Sequence, residues 1–178
     1  MFNHLLKVSK SFVVVTYELL MELILGLPRY RVFCNFKAFF LRRVGATIGK
    51  KVDIYSGVWI SPGRNLHIGN EVDLAKGVLI TTGGGVKIGD RTLIGYRTQI
   101  LSTNHEITRV GEKIPVSGNV HLPIEIGQDA WIGANCVITA GVTIGDGAVV
   151  GAGSIVVKDL PANSISVGNP ARVLRLRD

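Results

Sequence analysis

Ile126-Gly127-Gln128-Asp129-Ala130-Trp131-Ile132-Gly133-Ala134-Asn135 opens a run to Lys158 in which one six-residue phrase recurs. Ile126, Ile132, Ile138, Ile144, Val150 and Val156 fall six apart, and Gly127, Gly133, Gly145 and Gly151 directly follow four of them. Two residues before each next aliphatic stands a short side chain: Ala130, Cys136, Val142, Ala148 and Ser154. A period of six fits neither the period of about 3.6 of a helix nor the plain alternation of a strand. It is the spacing of a parallel β-helix, in which one phrase makes a short strand and a turn and cannot bury its own apolar side chain. Stacking does so, with three phrases to a triangular coil and each aliphatic above its counterpart one coil on. Glycine beside the aliphatic lets the chain bend at a corner without a Cβ clash.

The count extends upstream. Inward aliphatics are expected at Ile48, Ile54 and Ile60, then at Ile68, Leu74 and Ile80, then at Ile88, Ile94 and Ile100. Within each triplet the step is six, but Ile60 to Ile68 and Ile80 to Ile88 are steps of eight, and Ile100 to Ile126 is a step of twenty-six. One corner of successive coils is therefore expanded twice by two residues and once by about twenty. The long excursion, about 104–123, holds His105, Glu106, Arg109, Glu112, Lys113 and His121. A polar loop on a rigid scaffold is where binding and catalytic groups are carried.

Residues 1–43 lack the six-residue phase and read as an N-terminal helical segment, with Pro28 ending a first helix and Arg29 to Arg43 forming a shorter second. Phe12 to Leu27 is its most apolar part, but it contains Glu18 and Glu22 and falls short of the roughly 20 residues of a comfortable membrane span. No small-residue cleavage pattern of a signal peptide is seen. The segment either packs on the end of the β-helix or on another subunit, or lies on a membrane surface with basic flanks. The β-helix itself occupies 44–167. A basic tail, 168–178, follows and is expected to make one helical turn over the last coil.

With 178 residues the chain is about one domain with a sizeable core. Its 47% apolar content and 22 glycines exclude disorder and suit tight β turns. Cys34 and Cys136 are unpatterned, and Cys136 takes an inward slot, so free thiols in a reducing, cytoplasmic setting are expected. The net charge of +7 is uneven: residues 1–43 carry seven Lys or Arg against Glu18 and Glu22, leaving +5, and Arg172, Arg175 and Arg177 sit near the end. Such ends could meet lipid phosphates, nucleic acid or a phosphorylated small ligand. Nucleic acid is disfavoured, since the basic residues show no aromatic interleaving or binding motif.

The phrases 126–135, Val150-Gly151-Ala152-Gly153-Ser154, Val157-Lys158-Asp159-Leu160-Pro161 and Gly168-Asn169-Pro170-Ala171 resemble the bacterial hexapeptide-repeat O-acetyltransferases, over residues 44–175 or so. That family includes the maltose, galactoside and virginiamycin enzymes and those that decorate envelope polysaccharides. The segment from Pro28 through Gly45-Ala46-Thr47-Ile48-Gly49 looks most like the polysaccharide branch. The resemblance implies an all-β, left-handed parallel β-helix, a homotrimer, and acetyl-CoA held between neighbouring subunits. Handedness comes from the resemblance alone, because parallel crossovers are ordinarily right-handed. The implied activity is acetyl transfer from acetyl-CoA to a sugar hydroxyl in envelope or exported polysaccharide, or in its lipid-linked precursor.

An alcohol is a poor nucleophile until a base takes its proton, and histidine suits that task. The resemblance places the base at His105, which follows Asn104 at the root of the excursion; the alternative is a surface histidine without a role. Asn104, Trp131 and Asp73 are the candidate substrate contacts. Trp131 faces outward and borders the acyl donor or packs against a subunit. For the donor, the family match carries over Ala134 and Ala152 along pantetheine, Lys158 and Arg172 on phosphates, and Arg175 at the adenine 3'-phosphate. Taken alone, Lys158 would be a solvated lysine. His121 competes weakly with His105, while His67 falls in a two-residue expansion. Glu106, Glu125 or a carbonyl is expected to orient His105. Ala75 stands where the galactoside-type enzymes carry an asparagine, so a simple galactoside or maltose acceptor is doubtful. Asp53 and Asp73 share a phase and could reach sugar hydroxyls or be solvated corner residues.

Three alternatives remain beside this one. A small-molecule acetyltransferase, of antibiotic or serine type, is the nearest. A zinc carbonic anhydrase would need three converging histidines, and His67, His105 and His121 do not share a phase, so no metal is expected. A non-catalytic β-helical scaffold is the third.

Overall fold

The computed structural model describes residues 2–107, 109–111, 113 and 118–178, with side chains described from Phe12 onward. Glu112 of the excursion lies outside the described residues, as do the side chains of His4, Lys7 and Lys10.

The repeat makes a parallel β-helix with three faces. The first is built of Thr47–Ile48, Leu66–Ile68, Val86–Ile88, Ile124–Ile126 and Thr143–Ile144. On the second lie Asp53–Ile54, Asp73–Leu74, Leu93–Ile94, Trp131–Ile132, Val149–Val150 and Ser164–Gly168, with Ala171–Leu176 at its edge. The third holds Trp59–Ser61, Leu79–Thr81, Gln99–Leu101, Val137–Thr139 and Ile155–Val156. Register runs aliphatic over aliphatic: Ile48, Ile68 and Ile88 on the first face, and Leu74, Ile94, Ile132 and Val150 on the second. All fifteen inward aliphatics counted from the sequence are at most 5% exposed.

The glycine after each aliphatic has a different duty from the one expected. A Cβ on Gly89 would lie 2.4 Å from the Gln128 amide, and one on Gly133 2.5 Å from the Ala152 amide. Glycine is needed there because the next coil passes too close for any side chain. The bend itself uses the left-handed region two residues later, at Asp129 (φ 54°), Asn135 (φ 54°), Gly147 (φ 66°) and Gly153 (φ 73°).

The expanded corner lies between the third and first faces, and its coils stack. Gly63 donates to Thr82 Oγ1 at 3.0 Å, and Gly84 to Ser102 Oγ at 3.1 Å. Helix α1 (Phe2–Leu25) packs against this corner in the first coil. Tyr17 donates its hydroxyl proton to the Pro62 carbonyl, and Met21 and Leu25 are buried beside it, the spacing of one helix face. Helix α2 (Arg31–Arg43) closes the bottom of the prism with Cys34, Lys37, Ala38 and Leu41. The outer sides of both helices are apolar: Phe12, Val13, Leu19, Leu20 and Leu23 on α1, and Val32, Phe36 and Phe39 on α2, are exposed.

Three expectations are corrected. Lys37, counted above among the cations that could meet a phosphate, is wholly buried; its ammonium donates to the carbonyls of Leu27 at 2.7 Å, Ile54 at 2.8 Å and Tyr55 at 3.4 Å. The C-terminal tail makes no helical turn: Ala171–Leu176 runs antiparallel to Ser164–Gly168, since the open edge of the second face offers unpaired backbone. Asp53, Asp73 and His67 lie in strands on the outer surface, and not at corners or in an expansion.

Candidate active site

The long excursion leaves the prism as a β-hairpin. Thr103–His105 pairs antiparallel with Asn119–His121, setting Thr103 opposite His121, Asn104 opposite Val120 and His105 opposite Asn119. Its root rests on the glycines of the coil below. A Cβ on Gly84 would sit 2.4 Å from the Ser102 carbonyl oxygen, and one on Gly83 2.5 Å from Thr103 Oγ1 and 2.8 Å from His121 Nδ1. Asn104 and His105 are exposed. Among the described residues no side-chain hydrogen bond reaches the His105 ring. The Glu106 amide donates to Gly118 at 3.3 Å, while Glu125 stands on the outside of the first face between Lys87 and Thr143.

On the second face one outward column runs Asp53, Asp73, Leu93, Trp131, Val149 in register. The Trp131 indole is 55% exposed. Asp53 pairs with Arg31 at 3.3 Å. Asp73 accepts a hydrogen bond from Tyr55 Oη at 3.3 Å on Oδ2, while Oδ1 is buried without a partner. Burial pushes the Asp73 carboxyl above its ordinary range, and the neighbouring Asp53 charge adds to this, against the Tyr55 hydrogen bond.

Ala134 and Ala152 occupy successive turns between the second and third faces, joined by a 2.8 Å hydrogen bond from the Gly153 amide to the Ala134 carbonyl. Arg172 lies opposite Val167, whose side chain lies 2.7 Å from where a Gly151 Cβ would stand, so the arginine strand borders the Ala152 turn. Lys158 is exposed beyond the far end of Ile155–Val156, and Arg175 is 3.5 Å from Asp178. The chain thus gathers Ala134, Ala152 and Arg172 along one edge. It does not bring His105 to Trp131 or Asp73: the hairpin springs from the corner between the third and first faces, opposite the second face. His67 stands alone in its column between Thr47 and Lys87. Among the described residues no three His, Cys, Asp or Glu side chains are grouped as metal ligands.

Residues 123–158 match the family described as hexapeptide repeat of succinyl-transferase. The chain is 36% identical over 147 residues to the putative colanic acid biosynthesis acetyltransferase of Escherichia coli, covering 83% of this chain and 78% of that one. It belongs to the hexapeptide-repeat acetyltransferases. This acetyltransferase is also 38% identical over 136 residues to the galactoside O-acetyltransferase of Escherichia coli, covering 76% of its own length and 66%, just under two thirds, of the relative. Its fold matches a hexapeptide-repeat acetyltransferase from Vibrio cholerae complexed with acetyl-CoA, with a TM-score of 0.80 and 29% identity over 92% of this chain and 87% of that one. A galactoside acetyltransferase in complex with coenzyme A gives a TM-score of 0.77 and 32% identity over 90% and 80%.

Several residues of the acetyltransferase surface carried no signal in the linear sequence. Tyr55 and Tyr96 meet edge to face, 6.2 Å apart, and the Arg29 guanidinium lies 4.4 Å over Tyr55. Laying the coils under one another would have placed the two tyrosines on one edge, two coils apart, with Ala75 and Lys76 on the turn between them. The Thr103–His121 contact depends on hairpin pairing, which the repeat count does not encode.

Proposed function

We propose that this acetyltransferase moves an acetyl group from acetyl-CoA directly to a sugar hydroxyl of an envelope or exported polysaccharide, or of its lipid-linked precursor, with His105 as general base. The observation that carries the reading is the exposed His105 imidazole on a hairpin rooted against backbone, in a chain of this family. The imidazole takes the proton as the hydroxyl oxygen bonds to the thioester carbonyl carbon. The carbon–sulfur bond then breaks, and the imidazolium returns the proton to the departing thiolate. No acyl-enzyme forms.

Ala134 and Ala152 have side chains small enough to leave their backbone open to pantetheine, and Lys158, Arg172 and Arg175 supply charge for phosphates, so the donor edge suits acetyl-CoA. Trp131 borders the acetyl end, and Asn104 and Asp73 contact the acceptor. Since His105 and Trp131 lie on opposite sides of one prism, the site is completed in a homotrimer, with the hairpin of one subunit facing the second face of the next. Among the described residues no helix is long and apolar enough to cross a membrane. The apolar outer sides of α1 and α2 suit peripheral contact with the inner face of a membrane, or packing within the trimer.

Thiol release from acetyl-CoA, followed across neutral sugars, nucleotide sugars and glycans with mass analysis of the product, tests this reading. Acceptor-dependent release with an acetylated sugar is expected. Acetylated serine or an acetylated drug as the only product would move the protein to the small-molecule branch, and no release with any acceptor would favour a scaffold.

A further inference from the structure

Below the Ala134 turn, on the same edge between the second and third faces, lies an open groove of about 370 Å³ lined by Gly57, Lys76, Gly77, Tyr96, Arg97 and Asn135. It continues the donor edge. The Arg97 amide donates to the Lys76 carbonyl at 3.1 Å, and the Asn135 amide to the Tyr96 carbonyl at 2.8 Å, so these turns are stacked beneath Ala134 and Ala152. A Cβ on Gly77 would meet Arg97 Cγ at 3.1 Å, and nothing lies within 4 Å of one on Gly57. The glycines therefore keep the groove open and let the Arg97 stem lie across it.

Two contrasts single out this groove. On the edge between the first and second faces two cations have carboxylate partners, Lys51 with Glu71 at 2.8 Å and Arg91 with Asp129 at 2.7 Å. Among the described residues Lys76 and Arg97, on the corresponding turns of the other edge, have neither a carboxylate partner nor a side-chain hydrogen bond. Tyr96, 56% exposed, offers a ring to the groove and touches Tyr55, which is bonded to Asp73 with its unpartnered Oδ1. Beside Tyr55, the two carboxylates Asp53 and Asp73 already have Arg31 and Arg29 as neighbouring cations, which leaves Lys76 and Arg97 to the groove.

Resting on the proposed acetyl transfer, we infer that the groove binds the acceptor and that the acceptor is a negatively charged sugar, its anionic group held by Lys76 and Arg97 and its ring laid against Tyr96. An anion between a lysine and an arginine gains charge-assisted hydrogen bonds that a neutral sugar cannot make. The same chemistry is offered by the diphosphate of a nucleotide- or lipid-linked sugar and by the carboxylate of a uronic acid.

Calorimetric titration of the full chain, saturated with coenzyme A, distinguishes these. UDP-glucose and glucuronic acid are compared with glucose, on the wild type and on the Lys76→Gln/Arg97→Gln double variant. One anionic sugar is expected to bind at least about tenfold more tightly than glucose and to lose about that factor in the double variant, with the acetyl-CoA Kd unchanged. UDP-glucose as the tighter ligand identifies a diphosphate, and glucuronic acid a carboxylate. Equal binding of all three sugars, or anion binding that survives both substitutions, would overturn the inference while leaving acetyl transfer intact. Absent thiol release with selective anion binding would instead strike the transfer reading alone.

Discussion

Thr103 and His121 face each other across the first rung of the hairpin, Oγ1 3.1 Å from Nδ1, directly over Gly83. The placement of His105 thus depends on a glycine in the coil below. Gly83→Ala drives a methyl group to 2.5 Å from Thr103 Oγ1, and the hairpin root must shift. A displacement of that size costs catalysis more than stability: kcat is expected to fall by about tenfold or more. The fold loses only about 1–3 kcal/mol from the overpacking. Steady-state kinetics, calorimetry and an acetyl-CoA titration that stays unchanged would together check it.

Lys37 is the structural pin between the helices and the first coil. Replacing it by Met removes a buried charge but strands the Leu27 and Ile54 carbonyls, which accept at 2.7 and 2.8 Å. Orphaned buried acceptors cost about 1–3 kcal/mol, so Lys37→Met is expected to lower Tm. Burial holds the Lys37 amine below its ordinary 10.5. Between the depressed pKa and 10.5 the unfolded chain binds more protons than the folded one, so the contribution of Lys37 to stability rises with pH in that window. Denaturation at several alkaline pH values should therefore show the stability gap between wild type and variant widening upward.

The donor edge depends on close stacking of coils. Gly133→Ala would place a Cβ 2.5 Å from the Ala152 amide nitrogen and separate the two turns proposed to flank pantetheine. Both Tm and acetyl-CoA affinity are expected to fall. Gly153→Ala, which meets nothing within 4 Å, should bind acetyl-CoA far better than Gly133→Ala despite its left-handed φ of 73°. Paired titrations compare them.

If one site draws on two subunits, inactive variants should complement. Co-expressing His105→Ala with Ala134→Arg yields mixed trimers in which about a quarter of the sites combine an intact hairpin with an intact donor edge. Recovery of roughly that fraction of wild-type turnover is expected, whereas a site contained within one chain would recover none.

The solenoid was legible because the six-residue period follows directly from stacking: Ile48 through Val156 repeat, and all are buried where the count places them. The break at Ile100 was equally legible, since a gap in a periodic signal locates itself. Other features were hidden for physical reasons. Lys37 is satisfied by main-chain carbonyls, which every residue possesses, so nothing in the sequence distinguishes it from a solvated lysine. Ala171–Leu176 pairs as a strand because an edge was available, a tertiary fact. Lys76 and Arg97 are twenty-one residues apart, and only their stacked turns make them neighbours.

The central claim is that His105 takes the acceptor's proton. Turnover of His105→Ala with acetyl-CoA and an accepted sugar, measured beside the acetyl-CoA Kd of the same sample, tests it most directly. The account predicts a fall in kcat of about 10²–10⁴, with Kd unchanged because the donor edge lies on another part of the prism. Turnover at the wild-type rate in His105→Ala would contradict it.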